Sequence, residues 1–145
     1  MGYVRKSRRL SDLTTAREIR NDAGAVVASG GEGAAAFYSS AGQNCNVSVL
    51  YAEKSEDYSV DLVAKRESGY TDWIALDSEC QDFVKDMNKL QEKQISLKYK
   101  PSDCTADLDC WYIAKRSDSN EKIEVWSGTS SAPLYRVWPE TEDNY

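Results

Sequence analysis

Between Tyr58 and Lys65 the chain repeats with a period of two. Tyr58, Val60, Leu62 and Ala64 occupy one set of positions, against Ser59, Asp61 and Lys65 on the other. That spacing fits an extended strand with one buried face, because successive strand side chains point to opposite sides. Val47, Val49 and Tyr51 alternate with Ser48 and Leu50, and Ile95, Leu97 and Tyr99 alternate with Ser96, Lys98 and Lys100. Shorter apolar runs stand at 35–38, 73–76, 111–114, 123–126 and 134–138. Turn-forming segments separate them, among them Gly42–Asn44, the polar tip Glu53–Asp57, Glu67–Gly69 and Asp118–Glu121. About eight short strands at this spacing predict a mainly β fold, an antiparallel β-sandwich of Ig-like or jelly-roll-like type.

One segment departs from the rhythm. Ser78 and Gln81 have the spacing of a capping box, and Phe83, Val84, Met87 and Leu90 then share a helical face. Asp82 near the start and Lys89 and Lys93 near the end suit a helix dipole, so one short helix is expected near residues 79–92.

Charge is unevenly distributed. Residues 1–20 carry Arg5, Lys6, Arg8, Arg9, Arg17 and Arg20 against Asp12 and Glu18, while residues 21–145 carry 12 basic and 22 acidic side chains. A basic segment ahead of an acidic body reads as an extended docking arm over residues 1–25. Leu10, Leu13, Ala16 and Ile19 fall at helical spacing within it, and Asn21-Asp22-Ala23-Gly24 reads as its end. Residues 26–138 then form the body and 139–145 an acidic tail. The six cations could neutralise phosphates. However, the acidic body repels a duplex, and the interleaved leucines fit a protein groove better. The partner-binding set is therefore Arg5, Lys6, Arg8, Arg9, Leu10, Leu13, Arg17 and Arg20. Deleting residues 1–20 is expected to leave the body folded.

Catalytic machinery is hard to find. The chain has no histidine, which removes Ser-His-Asp and Cys-His nucleophilic sites and histidine-bound zinc. Gly30, Gly31 and Gly33 lack the Lys-Ser/Thr that a phosphate-binding loop needs, and they read as a flexible turn. Cys45, Cys80, Cys104 and Cys110 contain no C-x-x-C pair; they read as unpaired thiols, with Cys104–Cys110 the bridge expected in an oxidising compartment. Asp103, Asp107 and Asp109 could hold calcium, yet EF-hand spacing is missing and a solvated acidic loop is the plainer reading. Trp126 falls out of phase with Ile123 and Val125, which makes it the candidate outward-facing aromatic for a glycan or receptor. No apolar run approaches the ~20 residues of a membrane span, so no membrane partner is expected, nor any cofactor.

The stretches Ala35–Tyr38, Val47–Ala52, Tyr58–Val63 and Tyr70–Leu76 have a cadence that resembles the β-sandwich proteins decorating phage capsids and tails. The resemblance covers roughly residues 35–77 and departs from the pattern at Glu67-Ser68-Gly69-Tyr70, where an Asp-Gly is absent. It implies a non-catalytic cement protein of a bacteriophage virion, assembled in the host cytoplasm. Such proteins bind major capsid or tail subunits through arms and sheet edges, often as homo-oligomers. The alternatives are a small viral coat protein whose arm contacts packaged nucleic acid, and a carbohydrate- or receptor-binding module.

Overall fold

The computed structural model describes residues 2–50, 55–91, 93–95, 97–142 and 145. Glu53 and Lys54 of the expected hairpin tip, Tyr51 and Ser96 of the expected strands, and Asp143 and Asn144 of the tail lie outside the described residues. Two helices come first, α1 (Gly2–Ala28) and α2 (Glu32–Ser39). Strands β1 (Gln43–Leu50), β2 (Ser55–Glu67) and β3 (Ile74–Ala75) follow, then a 3₁₀ turn (Ser78–Cys80) leading into α3 (Gln81–Leu90). The meander β4 (Cys110–Arg116), β5 (Ser119–Gly128) and β6 (Pro133–Trp138) completes the chain.

The sandwich expectation is overturned. The strands form one antiparallel sheet in the order β1-β2-β4-β5-β6, with β3 added against β2, and it curls into a half-barrel instead of facing a second sheet. The cause lies partly in β2, whose first eight residues pair with β1 while Val60–Glu67 pair with β4. Irregularities at Leu62/Ala64, Lys115/Arg116, Val125/Trp126 and Ser127/Gly128 add local twist.

Each face of the sheet has its own apolar cluster. On one, Val63, Trp111, Ile113, Val125 and Val137 pack against Ile19 and Val26 of α1, Phe37 of α2, and Phe83 and Met87 of α3. On the other, Val49, Val60, Leu62, Tyr112, Ala114 and Trp126 gather, with no helix residue in the cluster among the described residues, so the curl itself hides them from water.

The extended arm is corrected as well: its residues are the body of α1. At 1.5 Å per residue, 27 helical residues span about 40 Å. The helix buries Asp12, Ala16, Ile19, Ala23 and Val26, a seam of alternating four- and three-residue steps. Two alanines in that seam bring the backbone close to its neighbours. Asn21-Asp22-Ala23-Gly24 does not stop the helix, because Ala23 is part of what it buries. Removing residues 1–20 would remove Ile19 from the core, so the expectation of an intact truncated body falls with the arm.

Two further expected strands are replaced. Residues 35–38 belong to α2, which buries Ala34, Ala36 and Phe37. The described part of 95–100 joins no sheet. It keeps the in-out alternation, Tyr99 buried between exposed Lys98 and Lys100, but lies along α1. The helix expected near 79–92 is α3, but the expected cap is not made. Cys80 precedes α3 without a side-chain cap bond, and the Asp77 carboxylate caps the 3₁₀ turn before it, accepting from the Glu79 N–H at 2.9 Å.

Two buried cations fasten loops to this frame. The Lys115 ammonium donates to the Phe37 carbonyl at 2.6 Å and to the Tyr38 carbonyl at 3.4 Å, satisfying acceptors at the end of α2. The Arg66 guanidinium donates to the carbonyls of Tyr70 (3.0 Å), Gln91 (3.4 Å) and Lys93.

Candidate docking surface

The N-terminal half of α1 is a rigid ledge. The Asp12 carboxylate, fully buried, accepts the Lys98 N–H at 3.0 Å and the Tyr99 N–H at 2.7 Å. Burial pushes its pKa up to about 6, and those two N–H groups hold it from rising further. One turn earlier, the Arg9 guanidinium donates to the Tyr145 carbonyl at 3.2 Å and lies 5.7 Å from that ring. Arg5 donates to the Lys100 carbonyl at 3.1 Å and sits 5.4 Å from the Tyr99 ring. Arg17 stands 5.6 Å from the Trp138 ring. Cations over aromatic faces each contribute ~0.5–1 kcal/mol at such exposed sites. Three of the six basic residues expected to grip a partner thus hold α1 to its own body.

The rest of the set faces outward. Lys6, Arg8 and Arg20 are exposed, and among the described residues no carboxylate lies within ion-pair distance of Lys6 or Arg8. Leu10 is 63% exposed, whereas Leu13 is half-buried against the core. Tyr3 at 86% and Val4 at 62% extend the exposed apolar surface toward the helix start, a feature the arginine-centred reading passed over. The first turn of α1 carries no acid, so nothing on the helix offsets the positive end of its dipole. Beside it, Val4, Arg5, Arg8, Lys98, Tyr99 and Lys100 line a groove of about 370 Å³. Lys98 and Lys100 were legible only as polar positions of a strand.

Comparison with protein-family models, with curated proteins and with solved structures finds no match. The surface has to be read from its own chemistry.

The other singled-out residues do not converge on it. Trp126 does point away from Ile123 and Val125, but that side is the inside of the curl, and the residue is 1% exposed. Its indole N–H donates to Glu124 at 2.9 Å. Glu124 also receives the Tyr58 hydroxyl at 3.1 Å and lies 3.5 Å from the Arg136 guanidinium, which donates to the Tyr58 oxygen at 2.6 Å. The Arg136 N–H donates to the Glu142 carboxylate at 2.9 Å, and the Glu142 N–H to the Arg136 carbonyl at 3.0 Å. Burial pushes Glu142 up to about 7, and burial together with Glu124 pushes the Tyr58 hydroxyl far above its ordinary range. Glu124, Arg136 and Glu142 are all buried, so this network clasps the tail to β6 rather than meeting solvent.

Asp103, Asp107 and Asp109 are exposed, Asp107 lying 3.9 Å from Lys100. Among the described residues no three His, Cys, Asp or Glu side chains gather as metal ligands. All four cysteines are free thiols; Cys104 faces the Ala106 carbonyl, and burial pushes Cys110 up to about 12. No helix among the described residues is long and apolar enough to cross a membrane.

Proposed function

We propose that this protein is a non-catalytic docking protein whose contact surface is the exposed N-terminal half of α1. The observation that carries the reading is one rigid helix presenting Lys6 and Arg8 together with Tyr3, Val4 and Leu10, while its opposite seam is fixed in the core. Cations set register against an acidic partner, and apolar side chains supply most of the affinity once water is excluded. The closed Tyr58–Glu124–Arg136 network supports a non-catalytic role, since its charged members are buried against one another. The resemblance to phage decoration proteins supplies the partner class, a capsid or tail subunit. Its implied sandwich is absent, so the weight of the proposal rests on α1.

The test is incorporation into particles. Wild-type chain should sediment with assembled particles, and a Lys6→Glu, Leu10→Asp variant should move to the unassembled fraction. Its melting temperature should stay unchanged, because both positions are exposed. Retention of the variant on particles, or absence of the wild type from them, would overturn the proposal.

A further inference from the structure

We infer that the groove between the first turns of α1 and residues 98–100 is a binding site for an extended acidic peptide with carboxylates at every second position. The inference rests on the docking reading and names the chemistry of the partner's contact segment. Four cations line the groove, Arg5 and Arg8 from α1 and Lys98 and Lys100 from the opposite wall. The alternating burial of residues 98–101, with Tyr99 and Pro101 inward, places Lys98 and Lys100 on the same outward side. In an extended chain, positions two apart are ~6.6 Å apart. A ligand strand repeats its side chains at that same interval, so alternate carboxylates meet the two ammonium groups in register. The other wall adds Arg8, one turn along from Arg5, and the positive end of the α1 dipole.

The walls are built before any ligand arrives. Asp12 fixes the backbone of Lys98 and Tyr99, and Arg5 ties α1 to the Lys100 carbonyl. Among the described residues Asp107 stands 3.9 Å from Lys100, a solvated pair of the kind that contributes little, and the charge of Lys98 also acts on the buried Asp12 carboxylate. Val4 and the Tyr99 ring give the peptide backbone an apolar floor. A nucleic acid would also meet these cations, but the remaining body carries 22 acidic residues against 12 basic ones and repels a long polyanion. A short acidic peptide confined to the groove escapes most of that repulsion.

Fluorescence anisotropy of the full chain tests the site. The probes are a labelled eight-residue peptide with aspartate at alternate positions, its asparagine counterpart, and a peptide with the same aspartates in one block. The alternating peptide should bind about tenfold tighter than the asparagine form and measurably tighter than the block form. An Arg8→Glu, Lys98→Gln double variant should lose about tenfold, and Arg20→Glu, farther along the exposed side of α1, should lose far less. Circular dichroism melts confirm that these exposed substitutions leave the fold intact. Equal binding by wild type and double variant overturns the inference. So does a single-stranded oligonucleotide binding more tightly than the peptide through the same residues, which would make the groove a phosphate site. If the double variant still joins particles while the Lys6, Leu10 variant does not, the groove assignment fails and the docking reading stands.

Discussion

Replacing Ile19 by alanine asks whether α1 belongs to the core. Ile19 is fully buried, in one cluster with Phe37, Phe83, Trp111 and Val125. The change deletes three carbons, worth ~0.8 kcal/mol each in transfer, or ~2.5 kcal/mol. The surrounding side chains come from two other helices and the sheet, and they cannot all close over the gap. A cavity term should therefore raise the loss to ~3–4 kcal/mol. For a chain of this size each kcal/mol shifts the melting temperature by about 2–4 °C, so a drop of roughly 6–15 °C is expected. Urea melts should move the midpoint by ~1.5 M with an unchanged slope, which separates lost stability from an altered unfolded state. The matched control is Leu10→Ala, nine residues earlier on the exposed side, expected to stay within ~0.5 kcal/mol. An Ile19→Ala loss below ~0.5 kcal/mol would refute the packing of α1 and, with it, the rigid ledge.

Three further outcomes are expected. Glu142 is held at about 7 against an ordinary 4.5, so the folded chain keeps a proton that the unfolded chain releases between those values. Stability from this group is full below pH 4.5 and lost as pH rises through about 7. Glu142→Gln should flatten that decline by up to ~3 kcal/mol in melts at pH 4.5 and 7.5, and an unaltered decline would contradict the clasp. Gly42 has φ +58°, and a Cβ there would come 2.7 Å from the Leu62 carbonyl oxygen, so Gly42→Ala should cost about 1–3 kcal/mol by thermal melt. Trp126→Phe removes a donor from the buried Glu124 carboxylate and should cost ~1–3 kcal/mol, while wild-type Trp126 should resist acrylamide quenching.

Strand positions were readable where one face is apolar and the other polar, as in β1 and the first half of β2. Past the irregularity at Leu62/Ala64, Ala64 joins Val63 in the helix-covered cluster instead of sharing a face with Leu62. The sheet's partner was not. A strand pattern reports that one face is buried but not whether a helix or another sheet covers it, and here the covering helix was disguised. The α1 seam is built from Asp12, Ala16, Ile19, Ala23 and Val26, only two of them large and apolar, so its hydrophobic signal is faint. Asp12 was legible only as one of two acids set against the basic residues of 1–20, although its bonds run to residues 98 and 99, far along the chain. In α2, Ala34, Ala35 and Ala36 beside Phe37 and Tyr38 form too short an apolar run to tell helix from strand by period. The described part of 95–100 alternates as a strand does because Tyr99 is buried against α1 between exposed Lys98 and Lys100. The basic residues were visible from the start. What could not be read was that Arg5, Arg9 and Arg17 stack on Tyr99, Tyr145 and Trp138, because each of those contacts joins residues nearly a hundred or more apart.

Residue-resolved amide shifts, followed while the alternating acidic peptide is titrated into the full chain, test the central claim most directly. The account predicts perturbations concentrated at residues 3–10 and 97–100, weakening as salt is raised, since solvated charge pairs are screened. Perturbations centred elsewhere on the sheet, or none at these two segments at saturating peptide, would contradict it.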